Sequence, residues 1–300
     1  LIVTGQLAVM AISFLIAGPC AAESRAQVVG TACEIVSLLG NRIVFRAGVW
    51  KPRTNPNTFQ GVGEEALLWL QEVKEETGMA VATEVATVEH TVQAMAAGID
   101  YLWLGARSTA NPILVQQLAD AIWHHPKREQ LRGVMVKNPV NEDVQLWLGD
   151  IERIERAGVP VLAIHRGCGH RPCWAMAHTL RLARPDIPLL LDPSHLGGSA
   201  DKIMPLMHYA HDLAFDGAMI ETHIAPREAL SDARQQITPM QLKELTDTYP
   251  MPYISTEQTE LQWLRAEIDE IDDRLWDCIA QRMEVSRRIG EWKKAHNTPP

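Results

Sequence analysis

The stretch Ile43–Gly61, IVFRAGVWKPRTNPNTFQG, places Arg46, Lys51 and Arg53 within eight residues, on a segment interrupted by Gly48, Pro52 and Pro56. Guanidinium forks match phosphate oxygens two at a time and a lysine adds a point charge, so this spacing points to an anion site. The plainer alternative is a basic surface loop balancing nearby acids. Further cations stand at Arg107, Lys137 and Arg166. Gathered into one pocket, Arg46, Lys51, Arg107, Lys137 and Arg166 would repel one another unless a strongly acidic ligand, such as a phosphate with a carboxylate, lay among them. Arg53 and Thr54, further along the loop, could hold a second phosphate. A second set, Cys20, His195, Glu221 and Asp232, has the residue types to hold a divalent ion. Mixed thiolate, imidazole and carboxylate donors suit Mn, Fe, Co or Zn. Taken singly, these four read as a buried thiol, a helix-capping aspartate and two solvated polar residues.

What could bring them together is the pattern of elements. Short apolar runs at Phe14–Ala17, Ile43–Arg46, Ala80–Thr83, Tyr101–Leu104, Val134–Val136, Val161–Ile164, Leu189–Leu191 and Ala218–Ile220 predict eight strands. Amphipathic segments predict helices between them, at Ser24–Leu39, Glu64–Thr77, Val88–Ala97, Pro112–Trp123, Val144–Arg156, Trp174–Ala183 and Ile203–Leu213. Strict alternation favours a parallel sheet, and eight units favour an α/β TIM (β/α)8 barrel over a doubly wound open sheet. A chemistry-bearing residue follows each strand: Cys20, Arg46 with Lys51, Glu84, Arg107, Lys137, His165-Arg166, Asp192 with His195, and Glu221 with His223. In a barrel these positions share the carboxyl-end face, and the first and last strands become neighbours.

Near Thr238 a short helix and the proline-bearing stretch YPMPYIST break the pattern. Beyond it Leu261, Leu264, Ile268, Ile271, Leu275, Ile279, Met283 and Ile289 recur at three- and four-residue steps. That predicts one amphipathic helix over Glu257–Ala295, about ten turns long. Its stripe must pack on the barrel, on another copy or on further chain. The domain reading is a barrel over 14–250 and a long C-terminal α-helix within 256–300.

The formal net charge of −9 argues against a nucleic-acid partner. The opening LIVTGQLAVMAISFLIAGPC lacks a basic start, and Thr4, Gly5 and Gln6 interrupt its apolar run, so neither a signal peptide nor a membrane span is expected. The chain does not begin with Met, which suggests a fragment. Five cysteines at irregular spacing form no disulfide framework and suit a cytoplasmic protein. CGHRPC (Cys168–Cys173) lacks the second pair of a zinc motif and reads as a variable loop. There is no G-x-G-x-x-G after the first strand, no P-loop and no G-x-S-x-G elbow. A Schiff-base aldolase built on Lys137 would leave the thiol, imidazole and carboxylate set unexplained.

The motifs AGPCAAES, RAGVWKPRT, GAR, VKNPV, HRG, LDPSHLGG and IETHIAPREALSDARQQI, in this order over 14–245, resemble the type I beta group of the DAHP synthases (3-deoxy-D-arabino-heptulosonate 7-phosphate synthases). The resemblance implies a metal-dependent condensation of phosphoenolpyruvate with erythrose 4-phosphate and water, giving the heptulosonate phosphate and inorganic phosphate at the head of the shikimate pathway. It implies metal ligands Cys20, His195, Glu221 and Asp232. Around phosphoenolpyruvate it implies Arg46, Lys51, Glu84, Ala106, Arg107, Lys137 and Arg166, with Lys51, Lys137 and Arg166 in catalysis. Lys137 would be the proton donor or a charge stabiliser, and Arg53 and Thr54 would take the erythrose 4-phosphate phosphate.

The sister octulosonate phosphate synthases carry Ala-Asn-Arg-Ser after the lysine, so Lys51-Pro52-Arg53-Thr54 favours the heptulosonate enzyme. The octulosonate enzyme and a non-catalytic regulatory homologue are the alternatives, the latter because 167–188 is shorter than the family pattern. The tail is similar to the first helix of the all-helical chorismate mutases, with Arg265, Arg282 and Lys293 at that family's dicarboxylate-binding positions. Such mutases use two further helices, so the mutase site is expected to be incomplete here. Prephenate or chorismate is the implied effector, and a homo-oligomer, dimer or tetramer, the implied assembly.

Overall fold

A computed structural model describes residues 14–52, 57–169, 171–250 and 258–297. Arg53, Thr54, His170 and the first thirteen residues lie outside the described residues.

The strands are β1 (Phe14–Gly18), β2 (Val44–Arg46), β3 (Ala80–Val85), β4 (Tyr101–Leu104), β5 (Gly133–Lys137), β6 (Val161–His165), β7 (Leu189–Leu191) and β8 (Gly217–Glu221). They close in chain order into a barrel in which every neighbouring pair is parallel. The helices are α1 (Arg25–Leu39), α2 (Glu65–Thr77), α3 (Val88–Ala96), α4 (Pro112–His124), α5 (Val144–Arg156), α6 (Trp174–Ala183), the short α7 (Pro193–Gly197), α8 (Ile203–Asp212), α9 (Pro239–Thr248) and α10 (Thr259–Ala295). The closed barrel and the long final helix match the expected fold, with most boundaries within two residues.

Alternation along the strands sorts side chains into two layers. Ile16, Val44, Ala82, Trp103, Met135, Leu162, Ile164, Leu190 and Met219 fill the barrel interior. Their neighbours, among them Ala17, Phe45, Val81, Val134, Val136 and Ala163, pack outward against the helices. Local chemistry starts most of those helices. Ser24, Thr87, Asn111, Asp143 and Thr238 each accept a backbone N–H of the first turn they precede. At α6 the preceding residue is Cys173, with φ 50°, and its side chain caps nothing.

A buried carboxyl on α5 lacks hydrogen bonds. Asp150, on the inner face of α5, has no hydrogen-bond partner for either carboxylate oxygen among the described residues, and Arg153 Nη1 stands 3.5 Å from Oδ1. Burial pushes its carboxyl up to about 7, against the pull of Arg153. A carboxyl raised above its unfolded value contributes its stability below the unfolded pKa and loses it as pH climbs through the folded one. We therefore expect Asp150→Asn to be more stable than the parent by about 2–4 kcal/mol at pH 8, with the difference vanishing below pH ~4. Urea unfolding across that range measures it, and a gap independent of pH would contradict the assignment.

The tail departs from expectation in how it docks. α10 has 37 residues, about 55 Å of helix. Its buried residues are Trp263 and Ala266. Trp263 stacks on His178 of α6 at 5.2 Å and meets Trp174 edge-on at 6.5 Å. His178 in turn pairs with Glu267 at 2.8 Å and Glu260 at 3.2 Å. The apolar stripe from Leu261 to Ile289 stays exposed. The docking face is thus offset from the stripe, because one indole and its polar collar, rather than the run of Leu and Ile, meet α6.

Candidate active site

Six of the site groups continue interior-facing strand positions. Arg46 lies two residues past Val44, Glu84 past Ala82, Lys137 past Met135, Arg166 past Ile164, Asp192 past Leu190 and Glu221 past Met219. A period of two keeps them all inward, so the apolar filling of the barrel ends in a charged layer at the carboxyl rim. Above it lies a cavity of about 320 Å3 lined by Arg46, Lys51, Glu84, Ala106, Arg107, Lys137, Arg166, His195 and Asp232, with Trp103, Gly105 and Gln235. Every expected anion-binding residue among those described reaches this cavity.

The cations are individually held. Arg46 lies over the Trp103 ring at 4.6 Å and donates from Nη2 to Glu221 Oε1 at 3.2 Å, while its buried Nε and Nη1 have no partner among the described residues. Lys51 Nζ donates to the Cys20 carbonyl at 3.1 Å and stands 3.6 Å from Glu84 Oε2. Burial opposes its charge, but Cys20, Glu84 and Glu221 outweigh that and hold its pKa above the usual value. Glu84 reaches this position because residue 105 is glycine; a Cβ there would meet Glu84 Oε1 at 2.2 Å. Arg107, at the exposed edge, donates to the Pro52 carbonyl at 3.1 Å, which ties it to the start of the Arg53–Thr54 segment.

Lys137 donates to Asp192 Oδ2 at 2.6 Å. Burial lowers the lysine, with Asp192 opposing and Arg46 adding to the fall. Asp192 is kept ionised: burial works against its charge, yet His195 and Lys137 hold the carboxyl well below the usual range. Asp192 also faces His195 Nδ1 at 2.8 Å, which leaves Nε2 directed at Glu221 Oε1, 3.6 Å away. A carboxylate behind a histidine whose other nitrogen faces further donors is the arrangement that orients metal-binding imidazoles.

The ligating atoms of Cys20, Glu221 and Asp232 all lie within 4.8 Å of one another, with His195 beside them. The β1–β8 pairing makes this possible: Gly18 is in register with Glu221, two residues before Cys20. Cys20 Sγ donates to Asp232 Oδ2 at 2.9 Å. Burial, and then Glu221, push the thiol far up, so the proton stays on sulfur unless a cation replaces it. Glu221, resisted by burial, is held below the usual range by His195, Arg46 and Lys51. A soft donor, an imidazole and two carboxylates suit a divalent first-row ion.

Not every rim residue belongs here. His165 points outward into Trp147, Trp174 and Phe215, and burial lowers it to about 4. His223 turns toward Glu23, 4.0 Å from its carboxylate. His165 sits one step out of phase with the inward positions, whereas His223 is in phase but lies two residues past the end of β8, where the chain has left the barrel. Cys168 and Cys173 are buried and free, as are the exposed Cys33 and Cys278 unpaired. On α10, Arg265 and Arg282 are exposed and Lys293 half-buried. Seventeen residues separate the first two, about 26 Å of helix, so this helix does not gather the three into one site.

Sequence reasoning gave no role to Asp192, Trp103, Gln235 or Gln236. Gln235 Nε2 donates to Glu221 Oε2 at 2.7 Å, and Gln236 Oε1 accepts the Cys20 N–H at 3.0 Å. The strand period could have found Asp192 and Trp103. The glutamines follow a turn through Asp232, φ 52°, and carry no such mark.

Comparison with known proteins identifies the barrel. The DAHP synthetase I family matches residues 11–250, and chorismate mutase type II matches residues 264–300. A phospho-2-dehydro-3-deoxyheptonate aldolase of Thermotoga maritima is 33% identical over 239 residues, 77% of this chain and 67% of the relative. A 2-dehydro-3-deoxyphosphooctonate aldolase of Wolinella succinogenes is 27% identical over 252 residues, 77% of this chain and 95% of the relative. The crystal structure of the DAHP synthase from Thermotoga maritima superposes with a TM-score of 0.68 at 29% identity, covering 78% of this chain and 68% of that one. With a family match over most of its length and a cation-lined barrel mouth in the matched region, the chain belongs to the DAHP synthetase I family.

Proposed function

We propose that the barrel condenses phosphoenolpyruvate with erythrose 4-phosphate and water to give 3-deoxy-D-arabino-heptulosonate 7-phosphate and phosphate. The observation that carries this is Arg46, which lines the cavity with Lys51, Lys137, Arg107 and Arg166 and whose buried Nε and Nη1 have no partner among the described residues. Buried cationic donors left unsatisfied are costly, and a ligand bearing phosphate and carboxylate would supply the missing acceptors.

In this reading Arg46, Lys51, Arg107 and Arg166 bind and orient phosphoenolpyruvate, with Glu84 setting Lys51. Arg53 and Thr54 hold the phosphate of the aldose. Cys20, His195, Glu221 and Asp232 would hold a divalent ion, Mn, Fe, Co or Zn, which when bound polarises the aldehyde as a Lewis acid. C3 of phosphoenolpyruvate bonds to the aldehyde carbon, and the alkoxide that forms takes its proton from Lys137 Nζ. Water adds to the cationic C2 and loses a proton, and phosphate leaves. The chain would work in the cytoplasm as a homo-oligomer. Its tail would belong to a mutase or regulatory unit that takes prephenate or chorismate.

The octulosonate reading is favoured by the relative from Wolinella succinogenes and opposed by Lys51-Pro52-Arg53-Thr54. Phosphate release with erythrose 4-phosphate against arabinose 5-phosphate decides between them. We expect at least about a hundredfold preference in kcat/KM for the tetrose. Preference for the pentose rejects the heptulosonate assignment, and no release with either substrate favours a non-catalytic homologue.

A further inference from the structure

α6 begins without a cap of its own, because Cys173 is left-handed and its side chain accepts nothing from the first turn. The missing acceptor comes from α10. Glu270 Oε2 accepts the Trp174 N–H at 2.9 Å, the first orphan donor of α6. The other oxygen, Oε1, stands 3.9 Å from Arg171 Nη1, and the Glu270 side chain is 9% exposed.

Arg171 belongs to the turn that follows Arg166. Its N–H donates to the Cys168 carbonyl at 3.2 Å, and its carbonyl accepts the Cys168 N–H at 3.0 Å. The turn is tight enough that a Cβ on Gly167 would meet the Arg171 carbonyl at 2.4 Å. Asn138 closes the other side, accepting the Arg166 N–H at 2.7 Å and donating to the Gly167 carbonyl at 3.0 Å. An ion pair and then a short run of hydrogen bonds, with Arg171 held on its other side by Glu142 at 2.9 Å, thus lead from the tail helix to the backbone that aims Arg166 into the cavity.

We propose that Glu270 is a positioning residue for the phosphoenolpyruvate subsite: by capping α6 and pairing with Arg171, the tail helix sets the turn that carries Arg166. This rests on the condensation proposed above. Trp263 and the His178 pair with Glu260 and Glu267 dock α10 independently, so removing one carboxylate leaves the tail in place.

The test uses the full chain, with Glu270→Ala, Glu270→Gln and, as a control on an exposed turn of the same helix, Asp277→Asn. Loss of a cap predicts a rise of about five- to tenfold in KM for phosphoenolpyruvate in Glu270→Ala, with KM for erythrose 4-phosphate unchanged. Glu270→Gln, which keeps one acceptor, should fall between, and Asp277→Asn should match the parent. Hydrogen exchange without substrate should show lost protection at the Cys168 and Trp174 amides. An equal rise in both KM values, a fall in kcat with both KM values unchanged, or lost protection with phosphoenolpyruvate KM unmoved makes Glu270 merely structural and overturns the proposal. If Glu270→Ala does not fold, Glu270→Gln carries the same criteria. A parent chain that releases no phosphate refutes the condensation instead. The Kd for phosphoenolpyruvate, read by quenching of Trp103, then stands in for KM under the same criteria, and a parent that does not bind it overturns the proposal.

Discussion

Cys20→Ser should abolish tight metal binding and lower phosphate release by at least about a hundredfold. The thiol sits where β1 meets β8, fully buried, with Asp232 and Glu221 around it. As a neutral thiol it contributes one weak hydrogen bond, to Asp232. As a thiolate it is the single soft donor in an otherwise hard set, the feature that suits the site to a first-row transition ion. Serine keeps the volume but at neutral pH has no comparable anion to offer. Metal content after gel filtration is the direct measurement. Loading with cobalt adds a second: the parent should show the sulfur-to-cobalt absorption that the serine variant lacks. Binding to the parent should also release the proton that burial holds on sulfur. Equal metal content and equal rate in the two proteins would remove Cys20 from the site.

Lys137→Met should cost about a thousandfold in kcat, the usual scale for deleting a general acid. Lys137 is buried in the charged layer, 2.6 Å from Asp192, and burial together with Arg46 favours its giving up a proton. That makes it the cation of the pocket best suited to proton transfer, whereas the pKa of Lys51 is driven the other way. Methionine keeps the stem and removes the ammonium, so phosphoenolpyruvate should still bind through Arg46, Arg107 and Arg166. Quenching of Trp103, which lies under Arg46, offers a binding signal separate from turnover. A kcat within tenfold of the parent would show that the alkoxide is protonated from elsewhere.

Much of this pocket was legible because two regularities coincide in a parallel barrel. Apolar runs mark the strands, and the first polar residue in phase with the interior marks the rim. Arg46, Glu84, Lys137, Arg166 and Glu221 all obey that rule. His165 was misread as a rim residue because it stands at the right height but on the wrong parity, and His223 because, though in phase, it lies past the strand end and turns to Glu23. Asp192 was visible at the rim yet received no role, since its work is done through Lys137 and His195. Gln235 and Gln236 were not legible at all. They reach Glu221 and Cys20 across a loop whose path no periodicity sets. The docking of α10 was hidden for a different reason: an apolar count weights the Leu and Ile stripe, while the contact is made by Trp263 and a histidine between carboxylates.

The parity of the strands also limits how such a chain can change length. Deleting one residue inside β5 ahead of Lys137 would swing the ammonium into the layer under the helices and bring an aliphatic side chain to the mouth. The same slip in β8 would remove Glu221 from Cys20. Insertions and deletions are therefore tolerable on the opposite face, between a helix end and the next strand start, and ruinous within the few residues that precede each reactive group.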